Sequence, residues 1–274
     1  MTPFLIQNVR KQVPLVHAIT NYVTVNDCAN ITLACGGSPI MADDKQEAEE
    51  ITSLCSATVI NIGTLNSRTI DSMILAGKRA NALGHPVVLD PVGAGASKLR
   101  TETVFRLLDE VKFTVIRGNI SEMKTVYAGS GTTKGVDADE ADATTEDNLD
   151  SVVRFAKELS ARTGAVIAIT GAIDVIADST RAFAVRNGHP MMSKITGTGC
   201  MLTCVIACYC AANLEHVLEA TTAAVSAMGL CGELAYRDVE KLDAGTATLR
   251  VHLIDYMSKM DDAMLSRGEK IESR

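Results

Sequence analysis

The residues best suited to chemistry lie late in the chain, in Lys194-Ile195-Thr196-Gly197-Thr198-Gly199-Cys200-Met201. Glycines at 197 and 199 let the backbone bend and approach a ligand with no Cβ in the way. An apolar segment, Leu202 to Ala212, follows at once, so the stretch reads as a loop opening a helix. The first amides of a helix lack partners within it, and the helix dipole is positive there. Gly197, Thr198 and Gly199 therefore form a candidate anion hole, with phosphate the common occupant. Lys194 supplies a nearby charge, and Cys200 in the first turn can point at whatever the amides hold. The plainer alternative is a tight turn before a buried helix.

Further candidates lie upstream. Asp90 ends the apolar run Val87-Val88-Leu89 and can hold a cation or position a hydroxyl, or else cap a turn or helix. Glu122 can be a second oxygen ligand reaching a hydrated magnesium ion, or an ordinary exposed helix residue. Arg117 offers a planar fork for phosphate oxygens, or half of a structural ion pair. Thr170-Gly171 after a strand suits a nucleotide contact or simple turn chemistry. His17 reads as a satisfied strand histidine. No G-x-x-x-x-G-K-[ST] occurs, and no G-x-G-x-x-G follows the first strand. A late anion hole, an acid pair and a basic phosphate ligand together suit phosphoryl transfer from a nucleotide.

The elements that must position these groups alternate. Strands are expected at Leu15–Ile19, Ser38–Ala42, Ala57–Ile62, His85–Pro91, Phe113–Arg117 and Ala165–Thr170, with a hairpin pairing 174–178 with 181–187. Helices are expected at about 25–34, 45–54 (capped by Asp43-Asp44), 67–83, 100–110, after Asn119, and at 149–161, 200–212, 215–236 and 246–264. Repeated β–α alternation gives a mainly parallel sheet with helices on both faces. Ligands bind such sheets beyond the carboxyl ends of the strands, where Asn21, Asp90, Arg117, Asn119 and Thr170 all fall. The chain reads as one α/β domain over 1–274, with an acidic surface excursion at about 128–148 and a polar, frayed tail at about 267–274.

Composition bounds the rest. Aromatic residues make up only 4% of the chain against 47% hydrophobic, so the core must be built from small aliphatic side chains and Met. A net charge of −7 leaves no basic footprint for nucleic acid. Met1 to Gln12 lacks a signal-peptide core. Ile195 to Leu214 carries no charge, yet it begins in a Gly/Thr loop and reads as a core helix, not a membrane span. The eight cysteines contain no C-x-x-C, which points to reduced thiols in the cytoplasm. Cys200, Cys204 and Cys208 form one helical stripe and are read as small buried hydrophobes apart from Cys200.

In order, VHAITNYVTVNDCAN, SPIMA, LDPVGAGA, RGNISE, AITGAID and ITGTGCM resemble the hydroxyethylthiazole kinases of thiamin salvage, over roughly residues 5 to 265. The resemblance implies a ribokinase-like three-layer sandwich. It implies transfer of the ATP γ-phosphate to the primary alcohol of 4-methyl-5-(2-hydroxyethyl)thiazole with Mg2+, by a homotrimer with active sites between subunits. Met41 matches the thiazole contact, with Asn21 near that pocket. Gly197 matches a substrate-contacting position, Arg117 and Thr170 match ATP contacts, and Asp90 and Glu122 match the acids near magnesium. Cys200 matches the catalytic position, which is aspartate in most of the wider ribokinase-like group. A free thiol titrates near about 8.5, and a helix N-terminus lowers it, so a thiolate could take the alcohol proton. A loose phosphoryl-transfer transition state depends mostly on positioning and charge neutralisation, which makes a strong base dispensable. Rival readings are a kinase of the same fold for another alcohol, such as hydroxymethylpyrimidine or pyridoxal, a dehydratase of hydrated nicotinamide nucleotide, and a redox-sensing binding protein.

Overall fold

The computed structural model describes residues 4–128 and 144–274. Its sheet has nine strands among the described residues: β1 Leu15–Ile19, β2 Ser38–Ile40, β3 Ala57–Asn61, β4 Val87–Asp90, β5 Val115–Gly118, β6 Val166–Ile169, β7 Asp174–Ala177, β8 Ala182–Val185 and β9 Ile271–Ser273. They lie in the order β2-β1-β3-β4-β5-β6-β7-β8-β9. The first six run parallel, while β7, β8 and β9 each pair antiparallel with the strand before.

Successive strand residues point to opposite faces, and both faces are covered. Val59, Val88, Val115 and Val166 face one layer, while Ile60, Leu89, Ile116 and Ile167 face the other. The first layer holds α1 Leu5–Gln12, α2 Val25–Cys35, α8 Thr198–Ala212, α9 Val217–Lys241 and α10 Thr246–Lys259, with α11 Asp262–Gly268. The second holds α3 Ala48–Leu54, α4 Ser67–Leu83, α5 Lys98–Glu110, α6 Ile120–Ala128 and α7 Leu149–Thr163. This is the expected three-layer α/β sandwich. Helix α8 is apolar on every side and is accordingly buried all round from Met201 to Ala212. Among the described residues, no single helix is long and apolar enough to cross a membrane.

One helix lies outside the elements expected from the sequence, and three local expectations need correction. The N-terminal stretch forms α1, whose first-turn Ile6 and Gln7 amides donate to the Asp262 carboxylate at 3.0 and 2.9 Å. Helix α3 begins three residues late, because Asp44 closes its own turn onto the Gln46 amide at 2.9 Å and caps nothing. The expected 246–264 helix breaks at Met260, and Asp261 caps α11 through the Met264 amide at 2.6 Å. The polar tail is not frayed: β9 pairs with β8, and the Lys270 amide donates to Asn187 Oδ1 at 2.8 Å. Of the expected acidic excursion, residues 129–143 lie outside the described residues.

Candidate active site

Parallel register assembles the site. Met41, Asn21, Asn61, Asp90, Arg117 and Thr170 sit at or just past the carboxyl ends of β2, β1, β3, β4, β5 and β6, which are consecutive in the sheet. Opposite this rim, Gly197 forms the N-cap of α8 with φ 87°, a left-handed conformation that favours glycine. A Cβ there would lie 2.5 Å from Thr24 Cγ2, and one on Gly199 would lie 2.4 Å from Arg117 Nη1. The second glycine therefore lets the guanidinium lie against the first turn of α8. A glycine N-cap supplies no side-chain acceptor for that turn, which leaves its amides to a ligand. Lys194 is exposed at the end of a short 3-10 turn.

Asp90 is fully buried and caps no helix. Its Oδ2 accepts from Asn61 Nδ2 at 2.9 Å and from Thr203 Oγ1 at 2.8 Å, and its Oδ1 lies 3.5 Å from Arg117 Nη1. Burial pushes the Asp90 carboxyl above the usual carboxylate range, against the pull of Arg117, Thr203 and Asn61. Arg117 also donates to Thr170 Oγ1 at 2.8 Å, while its buried Nε has no partner among the described residues. A guanidinium with one ion pair and one free buried donor suits an incoming oxyanion.

Glu122 is buried rather than exposed. It forms a capping box with Asn119: the Glu122 amide donates to Asn119 Oδ1, and Glu122 Oε2 accepts from the Asn119 amide, each at 2.8 Å. Its Oε1 accepts the Gly93 amide at 2.8 Å and so ties the loop after β4 to α6. Burial, and then the neighbouring Asp90 charge, push the Glu122 carboxyl up to about 7. Both acids are thus held by donors of their own chain. A carboxylate has about four lone-pair sites, so each acid keeps acceptor capacity for water of a hydrated divalent ion beyond the donors it already meets. Two carboxylates fit magnesium held through water better than a stripped ion.

Cys200 Sγ, half-buried, accepts from Asn21 Nδ2 and Asn61 Nδ2, both at 3.3 Å. The lowering expected from the helix N-terminus is outweighed. Burial, and then the Asp90 charge, push the Cys200 thiol up to about 11, so it is protonated at neutral pH. The rest of its stripe, Cys204 and Cys208, is fully buried core. His17 is the satisfied strand histidine, with Nδ1 2.8 Å from Thr52 Oγ1 and Nε2 2.7 Å from Ala42 O.

The structure therefore brings Asn21, Asp90, Glu122, Arg117, Thr170, Gly199 and Cys200 together. Met41 sits just past the end of β2, the strand beside β1, half-buried against the core layer that includes α8. Thr198 takes its place as the first residue of α8. Asn61 and Thr203 join the cluster without having been singled out in the sequence. Asn61 ends an apolar strand as Asp90 does, which was the available signal; Thr203 stands three residues after Cys200 and carried none. Beside Asn21 a cleft of about 410 Å3 is lined by Tyr22, Gly63, Leu65, Leu99 and Arg100 among others.

The family model for the hydroxyethylthiazole kinase family matches residues 6–263. A hydroxyethylthiazole kinase of Clostridium acetobutylicum is 61% identical over 268 residues, covering 98% of each chain. One of Ruminiclostridium cellulolyticum is 51% identical, covering 97% of this chain and 94% of its own. The solved hydroxyethylthiazole kinase of Pyrococcus horikoshii OT3 superposes with a TM-score of 0.87 at 34% identity over 100% of both chains. A Staphylococcus aureus pyridoxal kinase solved with ADP shares the fold alone, with a TM-score of 0.59 at 13% identity over 80% of this chain and 86% of its own.

Proposed function

The chain belongs to the hydroxyethylthiazole kinase family, and from that premise we propose that it phosphorylates the primary alcohol of 4-methyl-5-(2-hydroxyethyl)thiazole with ATP and magnesium, in thiamin salvage. The observation that carries the site is the Arg117 guanidinium. It lies against Gly199 at an open helix N-terminus, with its buried Nε unpartnered among the described residues. Arg117 and Thr170 hold the ATP phosphates. The Gly197, Thr198 and Gly199 amides receive the transferring phosphoryl group, where fixed dipoles need no reorganisation. Met41 and Asn21 flank the thiazole, and a soft thioether suits a sulfur heterocycle. Asp90 and Glu122 would hold magnesium through water, and the chemistry it would supply there is neutralisation of charge on the phosphate oxygens.

Cys200 positions the alcohol and contributes a smaller share than the amides. With its thiol up at about 11, it meets the substrate as a neutral group; the alcohol O–P bond forms as the bond from the γ-phosphorus to ADP breaks, and the alcohol proton passes late to an oxygen of the transferred phosphoryl group.

All 274 residues form one kinase domain acting in the cytoplasm as a homotrimer with sites between subunits. Tyr22 and Val23, 78% and 57% exposed beside Asn21, supply the face a neighbouring subunit completes. The test is incubation of purified protein with ATP and the thiazole alcohol, with and without magnesium, following product by mass. Magnesium-dependent thiazole phosphate supports the reading. No product from folded protein that binds ATP transfers it to another alcohol, and ATP consumed without a phosphorylated alcohol favours a dehydratase.

A further inference from the structure

Asn61 touches both groups that face the reaction, and its placement follows from topology. Strand β3 lies between β1 and β4, and Asn61 is the register partner of Asp90. Asn61 Oδ1 accepts the Gly63 amide at 2.9 Å, and Asn21 Oδ1 accepts the Thr24 amide at 3.2 Å. Backbone donors thereby fix which way each carboxamide faces. All four side-chain N–H bonds are then committed. Asn61 donates to Asp90 Oδ2 at 2.9 Å and to Cys200 Sγ at 3.3 Å, and Asn21 donates to Asn61 Oδ1 at 3.1 Å and to the same sulfur at 3.3 Å. A Cβ on Gly63 would lie 2.8 Å from Asn21 Nδ2, so that glycine lets the two carboxamides close up.

We infer that Asn61 is a positioning residue for phosphoryl transfer, setting Cys200 and Asp90 at a fixed separation while touching no substrate itself. The inference rests on the kinase reading above. A sulfur that accepts from two amides cannot aim its S–H at either, so the clamp turns the thiol hydrogen away from itself. The same side chain steadies one oxygen of Asp90, with Thr203 as its second support. Removing Asn61 frees both groups at once, whereas removing Thr203 frees only the acid.

The test compares wild type with Asn61→Ala, Asn61→Ser and Asn61→Asp in ATP-dependent thiazole phosphorylation, with thermal unfolding measured alongside. Asn61→Ala should lower kcat about 10- to 100-fold with both KM values within about threefold. Asn61→Ser, which restores one donor, should recover part of that loss. Asn61→Asp keeps the shape but turns an acceptor toward Asp90 and the sulfur, and should be the slowest. In a Cys200→Ala background the Asn61→Ala penalty should shrink, because part of its action runs through the sulfur. The inference is overturned if a folded Asn61 variant turns over within about twofold of wild type, or if the loss lies in KM alone. It is equally overturned if the two penalties multiply independently, or if kcat merely follows the thermal midpoint with no recovery in Asn61→Ser. An inactive wild type overturns the kinase reading instead.

Discussion

Two polar clusters in this molecule, each built on buried side chains, differ in what they leave over. One gathers Asn187, Ser226, Glu233 and Lys270 beneath the C-terminal segment, and of these only Lys270 reaches solvent. There Asn187 Nδ2 donates to Glu233 Oε1 at 3.1 Å and to Gly268 O at 2.9 Å, while its Oδ1 accepts from Ser226 Oγ at 2.7 Å and the Lys270 amide at 2.8 Å. Lys270 Nζ meets Glu233 Oε2 at 2.8 Å. Burial pushes the Glu233 carboxyl up, but Lys270, the Gly188 amide and Asn187 together hold it below the usual range. The other cluster is the rim around Asp90. There two acids and a thiol are pushed up, and an arginine donor is left over among the described residues. A completed network stabilises the fold; one strained toward neutral acids with a spare cationic donor is prepared for charge arriving from outside.

The contrast can be broken from either side. The largest effect should come from Arg117→Ala, which removes the spare donor and should cost about a thousandfold in kcat/KM per folded molecule, on top of the stability lost by stranding the buried Asp90 carboxylate; steady-state kinetics normalised to folded protein beside a urea melt separates the two. Asn187→Ala should do the reverse. It strands several buried partners and should cost about 3 kcal/mol of stability while kcat per folded molecule is unchanged, read by denaturant unfolding and active-site-normalised assay. If Asn187→Ala slows the folded enzyme as Arg117→Ala does, the contrast fails.

A pH effect sharpens the same point at a third buried group. Burial holds the His17 imidazole below its ordinary 6.5, ahead of the opposing contact with Ala42 O and the Glu47 charge. The unfolded chain therefore binds the proton first, and His17 contributes stability above about pH 6.5 that is lost as pH falls. Its NMR titration midpoint should lie below 6.5, and a midpoint above that would contradict the packing described. The smallest effect belongs to neither cluster. Lys98→Ala breaks the exposed pair with Glu102 at 3.6 Å and should change stability by less than about 0.5 kcal/mol by thermal melt.

Much of the rim is legible in the sequence because parallel sheets place function where apolar runs end. Asp90, Arg117 and Thr170 follow such runs, and the Gly197–Gly199 loop precedes a helix apolar on every side. What the residues alone do not reveal is cross-strand. Asn61 looks like any strand terminus until β3 is known to lie between β1 and β4. The capping box Asn119-Ile120-Ser121-Glu122 is local and was readable, yet an acid near a metal overshadowed its simpler role. The tail looked frayed because its polarity is visible in one dimension and its anchor, Asn187, is 83 residues from Lys270. The Cys200 thiol departs from the lowering its helix position implies for a related reason. The helix end that lowers it is local, whereas the Asp90 charge and the burial that raise it come from the assembled fold.

The central claim is that the helix amides and Arg117 carry the transfer, with Cys200 a protonated and secondary participant. The most direct measurement is the single-turnover rate of thiazole phosphate formation by Cys200→Ala beside wild type. The account predicts product at a rate reduced about 10- to 100-fold. A folded Cys200→Ala that binds ATP and alcohol yet forms no product would contradict it.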